Sequence, residues 1–444
     1  MERIHIIGGN RLEGIVPIHG AKNSALPLLA ATLLVAGVCE IDNCPHLSDV
    51  TAAMEILRHL GCRVTRQDHL VTVDATAPSG RDIPDRLMGE MRSSIVFLGA
   101  VVARCGGCEL TYPGGCELGP RPIDLHLSAL RQMGVTVEES HGRLRCAAER
   151  LHGADITLHF PSVGATENVV LAACTARGTT RLRNAAREPE IGDLCRFLNA
   201  CGARISGYES GYITIEGVPS LTPCAHRVMA DRIETATYLA AAAVTGGDLL
   251  LTAADPHTVA PTLPCLQQAG CTVTVREDGL RIQAPRSLGR LGFIRTLPYP
   301  GFPTDAAAPL LAAACVGQGT SVFVETIFEN RYRYVDELAR MGARIRVDGR
   351  VAVVEGGTPL QGAAVRCTDL RGGAALVVAG LAAVGETRVE ELHHLDRGYE
   401  DMIGCLSGVG ADIRRLPRVN VKDGCYEHKA TGQPDGGAQE GSRP

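Results

Sequence analysis

The chain has no tryptophan, and aromatics make up only 4% of its 444 residues. That leaves few flat side chains on which nucleic-acid bases could stack. No surplus of positive charge compensates. Lys and Arg number 44 against 49 Asp and Glu, a formal net charge of -5. This argues against a nucleic-acid partner and confines any anion site to a local cationic pocket. Long apolar runs are also missing. SALPLLAATLLVAG is too short to span a bilayer, and MERIHIIGGN lacks the cationic and apolar segments of a signal peptide. We therefore expect a cytoplasmic protein with no membrane partner, whose 17 cysteines are thiols. Cys105-x-x-Cys108 is half of a zinc site, and no second CxxC or nearby His completes it, so no metal is expected.

What is present is repetition. A hydrophobic helix end followed by x-Gly-x-x-Val/Ile recurs six times, at Gly61, Gly134, Gly202, Gly270, Gly342 and Gly410. Successive intervals run from 68 to 73 residues. A second series, Gly37, Gly107, Gly178, Gly247, Gly319 and Gly385, ends Ala/Leu-rich runs and precedes short β-type segments. Glycine just past an apolar periodic run reads as a helix C-terminal cap. Asp278-Gly279 and Asp348-Gly349 read as two-residue hairpin turns. Each unit is thus a strand, a helix, a hairpin and a second helix. Units this long do not stack as a solenoid, so two closed bodies of three units each are expected.

Charge falls at equivalent places in these units. The Ala-rich helices start at Lys22, Arg92, Arg232, Asp305 and Arg371, and the third unit starts with the uncharged Ser162-Val163-Gly164. A cation at a helix N-terminus opposes the helix dipole, an unfavourable local choice that function can impose. Free N–H groups at the same ends attract anions. The plainer reading is local ion pairing, as in Asp231-Arg232, Asp369-Leu370-Arg371 or Asp396-Arg397. Four cations at equivalent positions favour a shared anion site. In TYPGGCELGPRPIDLH, residues 111–126, Cys116 follows a Pro-Gly-Gly turn and precedes Arg121. Most thiols are small buried hydrophobes, but a turn beside a cation is the setting of a reactive one.

At these residues the chain resembles the enolpyruvyl transferases. The resemblance rests on GAKNSALP, MRSS, PGGCELGPRPIDLH, PSVGAT, NAAREPEI, DRIETATYLAAA, FPTD, ETIFENR, TDLR and HLDRGYE, in order from about residue 3 to residue 415. It implies an α/β fold of two inside-out barrels, each of three repeated βαβ-type units, with the active-site cleft between them. The domains would be 22–229 and 1–21 plus 230–420, with 421–444 a disordered tail. It implies transfer of the enolpyruvyl group of phosphoenolpyruvate to the 3'-hydroxyl of UDP-N-acetylglucosamine. Phosphate leaves through a tetrahedral adduct, no cofactor is needed, and the product is committed to peptidoglycan synthesis.

The resemblance also assigns roles. Cys116 matches the proton donor, which the epoxide fosfomycin alkylates in family members. Lys22, Arg121 and Arg397 match the grip on the phosphate and carboxylate of phosphoenolpyruvate, and Asn23 accompanies Lys22. Asp305 matches the residue facing the sugar hydroxyl, the proposed base; its plainer reading is a helix cap. Arg92 and the loop Arg121, Pro122, Ile123, Asp124, Leu125 match sugar-nucleotide contacts. So do Ser162, Val163, Gly164 and Ile327, and Arg331 and Arg371 match further cleft arginines. His126, His226 and His394 are given no chemistry. The chain departs from the family pattern at Ala307, Pro309, Tyr334 and Phe160. Two other readings stay open: shikimate 3-phosphate as acceptor, and a UDP-sugar-binding paralogue without turnover.

Overall fold

A computed structural model describes residues 2–112 and 123–417. The loop carrying Cys116, Arg121 and Pro122, and the tail expected from residue 421, lie outside them. Among the described residues the strands form six sheets, five of four strands and one of three. Their sequences alternate buried and exposed positions, as in Val38–Asp42 and Leu70–Asp74, so each sheet turns one face inward. The Ala/Leu/Val-rich helices Lys22–Thr32, Val163–Ala173, Arg232–Thr245, Thr304–Val316 and Leu370–Ala382 are buried along nearly their whole length. A helix apolar all round belongs inside, and these fill the space within the sheets. Small residues let them approach closely. At Gly99 a Cβ would come 2.3 Å from the Asn168 carbonyl oxygen of the neighbouring helix. Amphipathic helices such as Ser48–His59 and Pro189–Ala200 bury one face only.

Two separate cores result. One gathers side chains from Ala25 to Val228. The other combines Ile4 to Ile18 with Ala236 to Ile413. Strand Arg3–Ile7 pairs with Glu386–Glu390 and Asp412–Leu416, and strand Glu13–Pro17 pairs in parallel with Asp248–Thr252. In return, Ala225–Arg227 completes the sheet of Val38–Asp42. The chain therefore passes between the cores twice, and the two crossings lie side by side. Gly20 bridges Ala230, the Ala21 N–H donates to the Met229 carbonyl (2.7 Å) and the Asp231 N–H to that of His19 (2.9 Å).

Local details differ from the sequence reading in three places. All six glycines of the first series have φ between +85° and +102°, the left-handed cap conformation. The second series enters strands instead, and of it only Gly178, Gly319 and Gly385 have positive φ. Both hairpins form, but their turns are Glu277-Asp278 and Gly349-Arg350, because Arg276 pairs with Gly279 and Asp348 with Val351. The second unit opens with a 3-10 turn at Arg92–Val96, and its α-helix starts only at Phe97.

Candidate active site at the seam

Six charged side chains gather where the two cores meet. Lys22 is the first residue of its helix, and its Nζ donates to Asp49 Oδ2 at 3.1 Å. Arg397, which ends the 3-10 helix Leu392–Arg397, reaches across from the other core. Its Nε and Nη2 donate to the two oxygens of Asp49 at 3.0 and 3.3 Å. Asp49 is almost fully buried. Burial raises its pKa, but Lys22 and Arg397 outweigh it and hold the carboxyl below its usual range. Asp49 thus joins the two cations expected to grip one anionic substrate. Sequence reasoning missed it, since LSDVTAAM looks like an ordinary acidic first turn of a helix.

The second cluster surrounds Asp305. Arg331 Nη2 donates to its Oδ1 at 2.7 Å and to the Thr304 carbonyl at 2.9 Å, and Arg371 Nη2 lies 3.6 Å from Oδ2. Burial again raises the carboxyl pKa, and Arg371, Arg331 and Lys22 together bring it well below the usual range. The action of Lys22 on Asp305 links the two clusters. Four cations, Lys22, Arg331, Arg371 and Arg397, thus face two carboxylates, Asp49 and Asp305. Asp369 and Glu325 also act on Arg331 and Asp231 on Arg371, while Arg331 Nε and Arg371 Nη1 are buried without a hydrogen-bond partner. Such a place accepts an anion with several oxygens.

The plainer readings fare unevenly. Asp305 does not cap its helix: the N-cap is Pro303, and the carboxylate is spent on arginines. Asp231 and Asp369 do cap, accepting backbone N–H groups of Ile233 and Glu234 and of Arg371 and Gly372. Neither forms the expected ion pair with its neighbour. Asp396 pairs with Arg415 rather than Arg397. Arg232 is an exception to the anion-site reading. Its Nε donates to Glu190 Oε1 at 2.9 Å, so it serves the seam as an ion pair.

Around the clusters, Glu325 fixes two sequence-expected elements at once. Its Oε2 accepts from Thr304 Oγ1 (2.8 Å), and its Oε1 from the N–H groups of Ile327 (2.7 Å) and Phe328 (3.0 Å). It is fully buried and also went unnoticed in the sequence, although it opens the ETIFENR motif. Ser162 caps the helix at Val163–Ala173 through the Ala165 N–H, and Ser162, Val163 and Gly164 are half-exposed. Asn23 is half-buried beside Lys22. Ile123 is buried, Leu125 half-buried and Asp124 exposed at the start of helix Asp124–Gln132. Arg92 begins its 3-10 turn. His126 is buried, with its Nδ1 accepting from Asn168 Nδ2 at 2.9 Å, and burial pushes its pKa down to about 4. It is a neutral packing group. His226 Nε2 lies 3.0 Å from Asp193 Oδ1. At the departures, Ala307 and Tyr334 are buried, the Tyr334 hydroxyl without a partner, and Phe160 is exposed. Pro309 lies within helix Thr304–Val316, and Pro27 occupies the matching place in Lys22–Thr32, where each removes one helical hydrogen bond.

Comparison with known proteins identifies the architecture. The family model described as EPSP synthase (3-phosphoshikimate 1-carboxyvinyltransferase) matches residues 6–406. UDP-N-acetylglucosamine 1-carboxyvinyltransferase 2 of Caldanaerobacter subterraneus subsp. tengcongensis is 49% identical over 416 residues, covering 94% of this chain and all of the relative. UDP-N-acetylglucosamine 1-carboxyvinyltransferase of Dichelobacter nodosus is 45% identical, covering 94% of this chain and 99% of its own. Among solved structures, the enolpyruvyl transferase NikO of Streptomyces tendae superposes with a TM-score of 0.83 at 28% identity, covering 93% of this chain and 98% of that one. EPSP synthase of Acinetobacter baumannii shares the fold, with a TM-score of 0.73 at 20% identity over 94% of this chain and all of its own. Two α/β bodies built from repeated units, matched along almost their entire length, place this chain in the enolpyruvyl transferase family, the family of the EPSP synthase model.

Proposed function

We propose that the protein transfers the enolpyruvyl group of phosphoenolpyruvate to the 3'-hydroxyl of UDP-N-acetylglucosamine and releases phosphate, the committing step of peptidoglycan synthesis in the cytoplasm. The observation that carries this is the 45–49% identity, over 94% of the chain, to enzymes named for that transfer. The cation-rich seam supports it, because both substrates are multiply anionic. The division into bodies 22–229 and 1–21 plus 230–420 belongs to the proposal, and the two cores support it.

In this reading Lys22, Arg121 and Arg397 grip the phosphate and carboxylate of phosphoenolpyruvate, and the substrate displaces Asp49 from part of their valence. Cys116 gives a proton to the methylene carbon as the sugar oxygen attacks the adjacent carbon. The tetrahedral adduct then loses phosphate and returns a methyl proton to the Cys116 thiolate, which restores the double bond and the thiol. Asp305 faces the sugar hydroxyl. While Arg331 and Arg371 both hold it, it is too weakly basic to accept a proton. Its role as acceptor requires that substrate anions draw those arginines partly away, which raises its pKa. Arg92, the 121–125 loop, Ser162-Val163-Gly164 and Ile327 contact the sugar nucleotide. No step needs a cofactor.

Phosphate release from phosphoenolpyruvate, measured with each acceptor, tests the proposal. We expect release with UDP-N-acetylglucosamine and none with shikimate 3-phosphate. The opposite preference would overturn it, and UDP-sugar binding without turnover would leave a paralogue that only binds.

A further inference from the structure

His46, His69 and Glu400 lie outside the machinery described above, and they meet at the seam. His46 precedes helix Ser48–His59, His69 sits in the turn between strands Arg63–Gln67 and Leu70–Asp74, and Glu400 follows the 3-10 helix that carries Arg397. Two of the three come from one half of the chain and the third from the other. One ring nitrogen of each histidine and one oxygen of Glu400 lie within 4.8 Å of one another. A tetrahedral zinc with bonds near 2.0–2.1 Å holds its ligands about 3.3 Å apart, so small side-chain rotations suffice.

The ligands are already oriented. Glu400 is held by two partners, with Oε2 accepting from the His46 N–H at 3.1 Å and Oε1 lying 2.7 Å from His69 Nε2. On the far side of the His69 ring, Nδ1 is 3.1 Å from Asp68 Oδ1. A carboxylate behind a histidine, fixing its tautomer and aiming the other nitrogen forward, is the outer-shell arrangement of metal-bound imidazoles. Asp68 Oδ1 is also 3.4 Å from His46 Nε2. Two carboxylates facing two imidazoles suit a dication in charge as well as in donor type.

We propose that His46, His69 and Glu400 form a binding site for a zinc-class divalent cation that ties the two cores together and takes no part in the bond-making steps of the transfer. The Asp49 anchor lies three residues after His46, and Arg397 three residues before Glu400. An ion there fastens both partners of the Arg397–Asp49 ion pair, and so bears on how readily the seam opens.

Titration of the full chain with Co2+ tests this, because the spectrum separates thiolate ligands from nitrogen and oxygen ones. We expect one equivalent bound with visible d–d bands and no thiolate-to-cobalt charge transfer. Asp68→Asn should weaken binding about tenfold, the usual cost of losing an outer-shell partner, and His69→Ala or Glu400→Gln by more. Zn2+ should raise the melting temperature of the wild-type protein and not that of His69→Ala, since a ligand of the native state stabilises it. His46 is exposed, so His46→Gln keeps the fold and should also lose the ion. Absence of saturable binding, a thiolate charge-transfer band from the bound equivalent, or wild-type affinity retained in His46→Gln or His69→Ala would overturn the site.

Discussion

Asp49 shows how much a single residue can depend on distant partners. It lies 27 residues from Lys22 and 348 from Arg397, and it joins both. Its carboxyl pKa is lowered in the folded protein, so its stabilising effect is present above the unfolded value near 3.9 and is lost as pH falls through the folded value. Asp49→Asn should therefore cost on the order of 1–3 kcal/mol at pH 7, because two cations lose their buried partner. Thermal melts at pH 7 and pH 3 check this, and the gap between variant and wild type should narrow at the lower pH. Cys116 makes the complementary case. The Pro-Gly-Gly turn and Arg121 five residues on mark it in the sequence as an accessible thiol beside a cation. Its role as proton donor comes from the family resemblance, and it lies outside the described residues. We expect fosfomycin to add to Cys116 and to no other thiol, read by intact-mass and peptide mapping. Cys116→Asp should keep part of the activity and resist the epoxide, since a carboxyl group also donates a proton. An adduct that persists in this variant would remove Cys116 from the mechanism.

At the scale of elements, local signals predicted which segments would form and erred on where they begin. Asp-Gly marked two hairpins, but cross-strand pairing moved each turn by one residue, in opposite directions. Burial decides that register: alternate residues must face the core, and a slip of one would expose Leu280 and Ile282. Helix packing likewise decides His126. It lies against Gly164, where a Cβ would come 2.9 Å from its ring, and Asn168 satisfies its Nδ1. With a folded pKa of about 4 against an unfolded 6.5, the unfolded chain takes up a proton first. Stability should fall as pH drops from 6.5 towards 4, and the native His126 ring should show no titration above pH 5. Proton NMR of the imidazole resonances tests this; a midpoint near 6.5 would show that the ring is exposed.

For the whole molecule, the seam is held by pairs from opposite cores. Arg232 and Glu190 are both buried, and burial together with Glu190 and Glu188 keeps the nearby Glu167 carboxyl pKa well above normal. Removing the cation alone strands an acidic cluster. Arg232→Ala should cost about 3–5 kcal/mol, and adding Glu190→Gln should recover part of it, as a double-mutant cycle in urea would show. Equal and additive losses would mean that the pair contributes little across the seam.

The sequence by itself determined the repeated unit, its Ala-rich helices and the motif set that identifies the family. Each rests on spacing over a few residues or on a period near 70, and such patterns survive without knowledge of the fold. Only the tertiary structure decided which charges meet. Asp231, Asp369 and Asp396 sit beside arginines in the chain yet form no ion pair with those guanidinium groups, while Asp305 meets Arg331 and Arg371. The reason is physical. A buried ion pair needs close approach and a dry setting, and two closed cores pressed together provide both at a seam whose residues come from opposite ends of the chain.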